Sequence, residues 1–198
     1  MSAAAAGERI DLAALAARPW KNGAGLTREI ATHPLGADIH QFDWRLSVAE
    51  VAQDAPFSVF AGIDRQLVLL DGTGMRLRSP DGAIDCRLER PGDALSFAGE
   101  AAITAELTGG PTRDFNVMTR RGRWRTEVRS LREAGEIAAA DAALLLCGAG
   151  TWTVGPAGIG LQAGQGLLWR TPVASLSACP ATPGAWLLAV RLCQHRAP

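Results

Sequence analysis

Lysine is all but missing from this sequence: Lys21 stands alone beside 19 arginines, the rest of the 20 basic residues. Asparagine is nearly as rare, at positions 22 and 116 only. Positive charge is not in excess, since 20 basic residues face 20 acidic ones. Affinity for nucleic acid comes largely from neutralising phosphates, so a balanced chain is a poor candidate for that partner. The cysteines (Cys86, Cys147, Cys179 and Cys193) form no CxxC pair, which argues against a disulfide framework and against a zinc site. No uninterrupted apolar run is long enough to span a bilayer, and Met1 to Gly7 has neither the charged nor the apolar region of a secretory leader. A soluble, cytoplasmic protein without a membrane or nucleic-acid partner is expected.

The scarce residues are concentrated in two places. Arg18-Pro19-Trp20-Lys21-Asn22-Gly23-Ala24-Gly25-Leu26-Thr27-Arg28 holds the one lysine and one asparagine, and Gly109 to Arg121 holds the other asparagine. An ammonium is a compact point charge and a guanidinium a planar fork, so a chain that uses arginine elsewhere and keeps one lysine here hints at a task for it. Two compatible readings exist for this stretch. Asn22-Gly23 and Gly25 suit a tight turn, because Asn and Gly tolerate positive φ. Equally, Gly23 and Gly25 would let backbone approach a ligand, with Lys21 and Arg28 supplying charge and Asn22 and Thr27 neutral hydrogen bonds. Four arginines fall within Arg120 to Arg125, a pattern that suits a charge-protected hairpin or strand edge better than a nucleic-acid footprint.

With 198 residues the chain can build one large domain or two of about 100. Residues 1 to 8 read as disordered, and Asp11 to Ala17 as a short helix capped by Asp11 and ended by Pro19. Strands follow. Thr27 to Thr32, Asp43 to Ala49, Pro56 to Phe60, Arg65 to Leu70, Met75 to Arg78, Ile84 to Glu89, Ala94 to Phe97, Ile103 to Leu107 and Asp114 to Met118 alternate or run apolar between turn signals. Asp71-Gly72 and Pro80-Asp81-Gly82 read as hairpin turns. Further on, Glu127 to Ala140 suggests a strand and a helical turn, and Ala142 to Cys147, Thr151 to Val154, Gly166 to Trp169, Ala174 to Ala178 and Ala185 to Cys193 suggest strands. This rhythm is that of an antiparallel sandwich or barrel, divided into two units with a break near residues 121 to 140.

The segment Pro19 to Ile30, with Phe42 to Ala49, Pro56 to Arg65 and Gly110 to Gly122, resembles the HutD/Ves family. The likeness is dense from about residue 10 to 130 and looser beyond. It implies an all-β bicupin, two small antiparallel β-barrels (double-stranded β-helices) in one chain. The N-terminal barrel with its arm would cover 1–125 and a smaller one 126–198. It further implies a protein encoded beside histidine-utilisation enzymes that restrains the pathway by sensing a small acidic intermediate, urocanate or formylglutamate. Ala24 departs from the pattern, which usually has a third glycine there. Metal-dependent cupins use His-x-His with a Glu and a later His, whereas this chain has only His33, His40 and His195 in no such arrangement, so neither metal nor other cofactor is expected.

A small carboxylate calls for charge-assisted donors. Arg45 and Ser47 share one strand face, and Trp44 and Leu46 the other. Alternation does not choose between them, and the resemblance turns Arg45 inward, where its charge would need Asp64, Asp114 or a ligand anion. Asn116 and Met118 share a face of another strand, Phe60 with Phe57 would wall a cavity, and Asp64-Arg65 would be an ion pair. The candidate ligand set is therefore Lys21, Asn22, Gly23, Thr27, Arg28, Arg45, Ser47, Phe60, Asn116 and Met118. The leading expectation is a non-enzymatic carboxylate-binding regulator, with a homodimer as one option for its assembly. The alternative is a metal-free enzyme on the same intermediate with Lys21 as its acid-base group, because no Ser-His-Asp, Cys-His or paired-carboxylate grouping stands out. An interaction protein using Arg120 to Arg125 ranks third.

Overall fold

The computed structural model describes residues 7–195, so the expectation for residues 1–6 lies outside them. Two compact units are present: Leu15–Arg123 forms one, and the residues flanking it, up to Ala14 and from Trp124 onward, form the other. The chain starts in the flanking unit with β1 (Glu8–Asp11), which pairs antiparallel with a strand far along the sequence. Glu8, expected to be disordered, is thus held in a ladder. Asp11 Oδ1 accepts a hydrogen bond from the Ala13 N–H at 2.9 Å, but the expected helix shrinks to a single 3-10 turn, Leu12–Ala14. Its expected last residue, Ala17, begins β2 (Ala17–Pro19), an edge strand where a proline lacking an N–H does no harm.

The Leu15–Arg123 unit continues with β3 (Gly25–His33), β4 (Trp44–Val51), β5 (Ala55–Pro56), β6 (Ile63–Gly72), β7 (Met75–Arg78), β8 (Asp85–Leu88), β9 (Ala94–Ala98), β10 (Thr104–Leu107) and β11 (Thr112–Arg120). They make two antiparallel sheets, ordered β2-β3-β4-β11-β6-β9 and β5-β10-β7-β8. Val51, Leu67, Leu69 and Phe97 from the larger sheet pack with Met75, Leu77, Leu88 and Ala105 from the smaller one in a single apolar cluster. The side chains level with these residues across the ladders, and those two positions along the same strand, therefore face the space between the sheets.

Asp71-Gly72 is not a hairpin. β6 and β7 belong to different sheets, and the chain turns a corner there, with Gly72 at φ +102° and Gly74 at φ +100°. The turn through Pro80-Asp81-Gly82 does join paired strands, with Arg78 opposite Asp85.

The flanking unit adds β12 (Trp124–Leu131), β13 (Gly135–Ile137), β14 (Ala142–Ala149), β15 (Thr151–Val154), β16 (Ile159–Gln162), β17 (Gln165–Trp169), β18 (Leu176–Pro180) and β19 (Trp186–Gln194). Its sheets run β1-β17-β14-β19-β12 and β13-β18-β15-β16, around a cluster that includes Leu145, Leu167, Leu187, Trp152, Val154 and Leu161. The helical turn expected within 127–140 is the short strand β13 instead. No helix among the described residues is long and apolar enough to cross a membrane.

Candidate functional site

Register places a polar cluster on the inner face of the larger sheet of the Leu15–Arg123 unit. Opposite one another across β4, β11 and β6 stand three rows: Arg45, Met118 and Arg65; then Ser47, Asn116 and Leu67; then Ala49, Asp114 and Leu69. Because Leu67 and Leu69 belong to the core cluster between the sheets, Ser47, Asn116, Asp114, Arg45 and Arg65 share its side. From β3, Glu29 sits opposite Ser47 and Thr27 opposite Ala49. Two irregularities shape the cluster. The β3/β4 register shifts between Glu29 and Ala31, and the β11/β6 register shifts between Arg113 and Asp114. The extra residues are Ile30 in β3, next to Glu29, and Leu70 in β6, while Asp114 itself stays in unbroken register with β4.

The two arginines are held differently. Arg45 Nε donates to Glu29 Oε2 at 2.9 Å and its Nη1 to Ser47 Oγ at 3.3 Å. Its partner is thus Glu29, not Asp64 or Asp114. Arg65 is 5% exposed and sits in an aromatic box, its guanidinium carbon 4.9 Å from the Phe97 ring centre, 5.5 Å from Phe57 and 5.6 Å from Phe60. One Nη1 N–H donates to the Ser58 carbonyl at 3.1 Å. Ring faces attract the cation, most strongly where water is excluded. Burial pulls the Arg65 guanidinium down to about 10, an effect that Asp114 opposes and Arg45 reinforces, so it stays charged at neutral pH.

Asp114 is fully buried, and neither of its carboxylate oxygens has a hydrogen-bond partner among the described residues. Burial pushes this carboxyl up to about 7, and the Arg65 charge only partly restrains it. Asn116 Oδ1 and Arg65 Nε are likewise buried without a partner there. A carboxyl that titrates near neutrality beside a boxed guanidinium is the sort of perturbed pair that collects at binding and catalytic sites.

Of the residues singled out from sequence, Arg45, Ser47, Asn116 and Met118 come together on this face, with Thr27 on the neighbouring strand and Phe60 at the Arg65 box. Thr27 accepts a hydrogen bond from Trp20 Nε1 at 2.8 Å. Arg28 is on the opposite face of β3, across from Val48, where it pairs with Glu50. Lys21, Asn22 and Gly23 are exposed in a turn closed by the Gly23 N–H donating to the Trp20 carbonyl at 3.0 Å. Asn22 Oδ1 caps that turn by accepting from the Ala24 N–H at 3.1 Å, and Gly23 takes φ +71°. A Cβ at Gly25 would run into the Glu50 carbonyl, so that glycine accommodates a neighbouring strand. Asp64 pairs with Arg121 rather than with Arg65, at 2.8 Å. Arg121 also binds Glu100 at 2.9 Å, and Arg120 donates to the His40 and Phe42 carbonyls. Both arginines brace loops. Among the described residues no three His, Cys, Asp or Glu side chains gather as a metal set.

The family model described as HutD matches residues 12–187. The chain belongs to the HutD family. Within it, the chain is 40% identical over 114 residues to an uncharacterised 21.2 kDa protein in the hutC 3' region of Pseudomonas putida, covering 56% of this chain and 57% of the relative. It is 42% identical over 123 residues to protein Ves of Cronobacter sakazakii, covering 62% and 65%. Both matches span somewhat less than two thirds of those relatives. Among solved structures, HutD of Pseudomonas fluorescens SBW25, in a formate condition, superposes with a TM-score of 0.82 at 26% identity, over 96% of this chain and 99% of that one. A cupin domain protein of Leptotrichia buccalis shares the fold at 10% identity and a TM-score of 0.57, over 94% of this chain and 96% of that one. HutD proteins are associated with histidine-utilisation genes, and the fold is cupin-like.

The polar face of this HutD-family chain includes three residues that the ligand set drawn from sequence leaves out: Glu29, Arg65 and Asp114. Glu29 falls inside the stretch that carries the resemblance, but with the bulge at its shoulder, alternation does not predict which way it points. Charge by itself does not mark Arg65 and Asp114, since Ile63–Gly72 and Thr112–Arg120 also carry Asp64, Asp71, Arg113 and Arg120; what sets the two apart is burial.

Proposed function

We propose that the Leu15–Arg123 unit is a cupin-type barrel that captures a small carboxylate of histidine catabolism, urocanate or formylglutamate, and that this capture regulates histidine utilisation. The flanking unit is on this reading a second, smaller barrel, and the protein works in the cytoplasm without catalysing a reaction. One observation carries the reading: two guanidinium groups, Arg45 and Arg65, face the space between the sheets with only Glu29 hydrogen-bonded to either as a carboxylate partner. Burial keeps the second carboxyl, Asp114, from balancing Arg65 at and below about pH 7. A buried positive charge without a full counter-charge is costly and is relieved by an anion. A planar guanidinium binds a carboxylate with two parallel N–H donors.

Calorimetric titration with urocanate and with formylglutamate tests this. A ligand at 100 times its dissociation constant adds about 2.7 kcal/mol of stability, so a thermal-shift assay reads the same event. Folded protein that shows neither heat nor shift at millimolar ligand overturns the proposal. The position of Asp114 also favours a second reading, a metal-free enzyme in which Asp114, rather than the exposed Lys21, moves a proton. Turnover of either intermediate that is lost in Asp114→Asn would support that enzyme over the binding protein.

A further inference from the structure

The inner face contains a mismatch of hydrogen-bond types. Asp114 offers two carboxylate oxygens and Asn116 an amide oxygen, all three buried and none with a donor among the described residues. Arg65 Nε is also without a partner among the described residues, and the other guanidinium donors nearby are directed elsewhere. Arg65 gives one Nη1 N–H to the Ser58 carbonyl and lies among three phenyl rings, while Arg45 gives its Nε to Glu29 and an Nη1 N–H to Ser47. Buried acceptors are normally satisfied, and each one left without a donor is expensive. A carboxylate entering beside Arg65 and Arg45 answers the positive charge, but it brings only acceptors of its own. What the Asp114 end lacks is a donor.

We propose that Asp114 and Asn116 form a donor-accepting subsite for the far end of the bound molecule, so that the protein selects acids carrying an N–H or O–H group over acids of plain hydrocarbon. This rests on the carboxylate-binding reading above and adds the second half of the ligand's chemistry. The spacing allows it. Asp114 and Asn116 project from one face of β11 roughly 7 Å apart, the repeat of two residues along a strand. The Arg65 row is the next step along that strand, at Met118. One end of a short, extended molecule meets the guanidinium groups while its other end, an amide, imidazole or hydroxyl, donates to Asn116 or Asp114. Donation to a buried acceptor discriminates strongly against an isostere without the hydrogen.

Matched probes read this directly. Urocanate and cinnamate share a propenoate arm and differ in ring N–H; formylglutamate and glutarate share two carboxylates and differ in the formamide N–H. In calorimetry at pH 7.5 the donor-bearing member of each pair binds at least about tenfold tighter to the wild-type chain. In Asp114→Leu that gap closes, because the donor-bearing ligand weakens while its partner does not. Asn116→Leu narrows the gap as well and stands in should Asp114→Leu fail to fold. Equal affinity within each pair for wild type, or an undiminished gap in a folded variant, overturns the donor subsite and leaves the carboxylate site standing. Binding of none of the four probes to folded wild-type protein overturns the carboxylate reading and the subsite with it.

Discussion

Replacing Asp114 by Asn should change how stability depends on pH more than it changes stability at any one pH. In the unfolded chain an aspartate titrates near 3.8; burial in the folded state raises this carboxyl to about 7. A raised folded-state pKa means that the folded state is favoured while the group is protonated in both states, below 3.8. That advantage erodes as pH rises and is gone above the folded value. A tenfold difference in proton affinity between the two states is worth about 1.36 kcal/mol, so the loss between about pH 4 and pH 7 is on the order of 4 kcal/mol. Full burial of Asp114 removes any reason to discount the figure for solvent screening. The amide does not titrate, so the variant lacks this slope.

Urea unfolding of both proteins at steps from pH 5 to pH 8 supplies the free energies. Their difference, variant minus wild type, should climb at up to about 1.4 kcal/mol per pH unit and level off above pH 7. The Arg65 guanidinium, at about 10, stays protonated throughout this window. A difference that is flat from pH 5 to pH 8 would refute the reasoning. That flat line would show Asp114 to be a carboxylate held ionised by Arg65, because a carboxyl lowered below its unfolded value changes stability only below about pH 5.

Arg45→Ala takes the donors from Glu29 and Ser47 and should cost about 1–3 kcal/mol of stability and at least tenfold in carboxylate affinity, with Arg45→Lys restoring part of the affinity. Arg28→Ala should leave carboxylate affinity within twofold by calorimetry and cost about 1 kcal/mol or less in urea unfolding, because its partly exposed pair with Glu50 lies on the other face of β3. Gly72→Ala should destabilise by about 1–3 kcal/mol in the same assay: φ there is +102°, and a Cβ would lie 2.7 Å from the Pro111 carbonyl and 2.8 Å from Thr112 Cα.

Strand positions were legible in this sequence wherever one face is apolar and the other is not, and Met75–Arg78 and Thr151–Val154 have the bounds that alternation predicts. Ile159–Gln162 was not legible, because Ile-Gly-Leu-Gln is too short and too rich in glycine to carry a period. Pairing was harder than position. Asp71-Gly72 has the composition of a hairpin turn, yet whether two strands pair or part to different sheets is decided by the backbone around Gly72 and Gly74 and by packing far away in sequence. The site divides along the same line. Arg45, Ser47, Asn116 and Met118 lie on regular stretches of β4 and β11, so strand alternation groups them correctly once one face is known to be inward. Glu29 borders the register shift in β3, where two-residue periodicity breaks, whereas Asp114 keeps the alternation of Asn116 and Met118 along β11. The rarity of Lys21 and Asn22 pointed to the turn they occupy, and there a tight turn capped by Asn22 already accounts for the asparagine and the glycine after it. Rarity marks a position that tolerates few residue types, whereas burial of a charge on the inward face of a strand marks one whose stability has been given up for something else. By that second criterion Arg65 and Asp114, not the lone lysine, are where this chain departs most from what folding alone would ask of it.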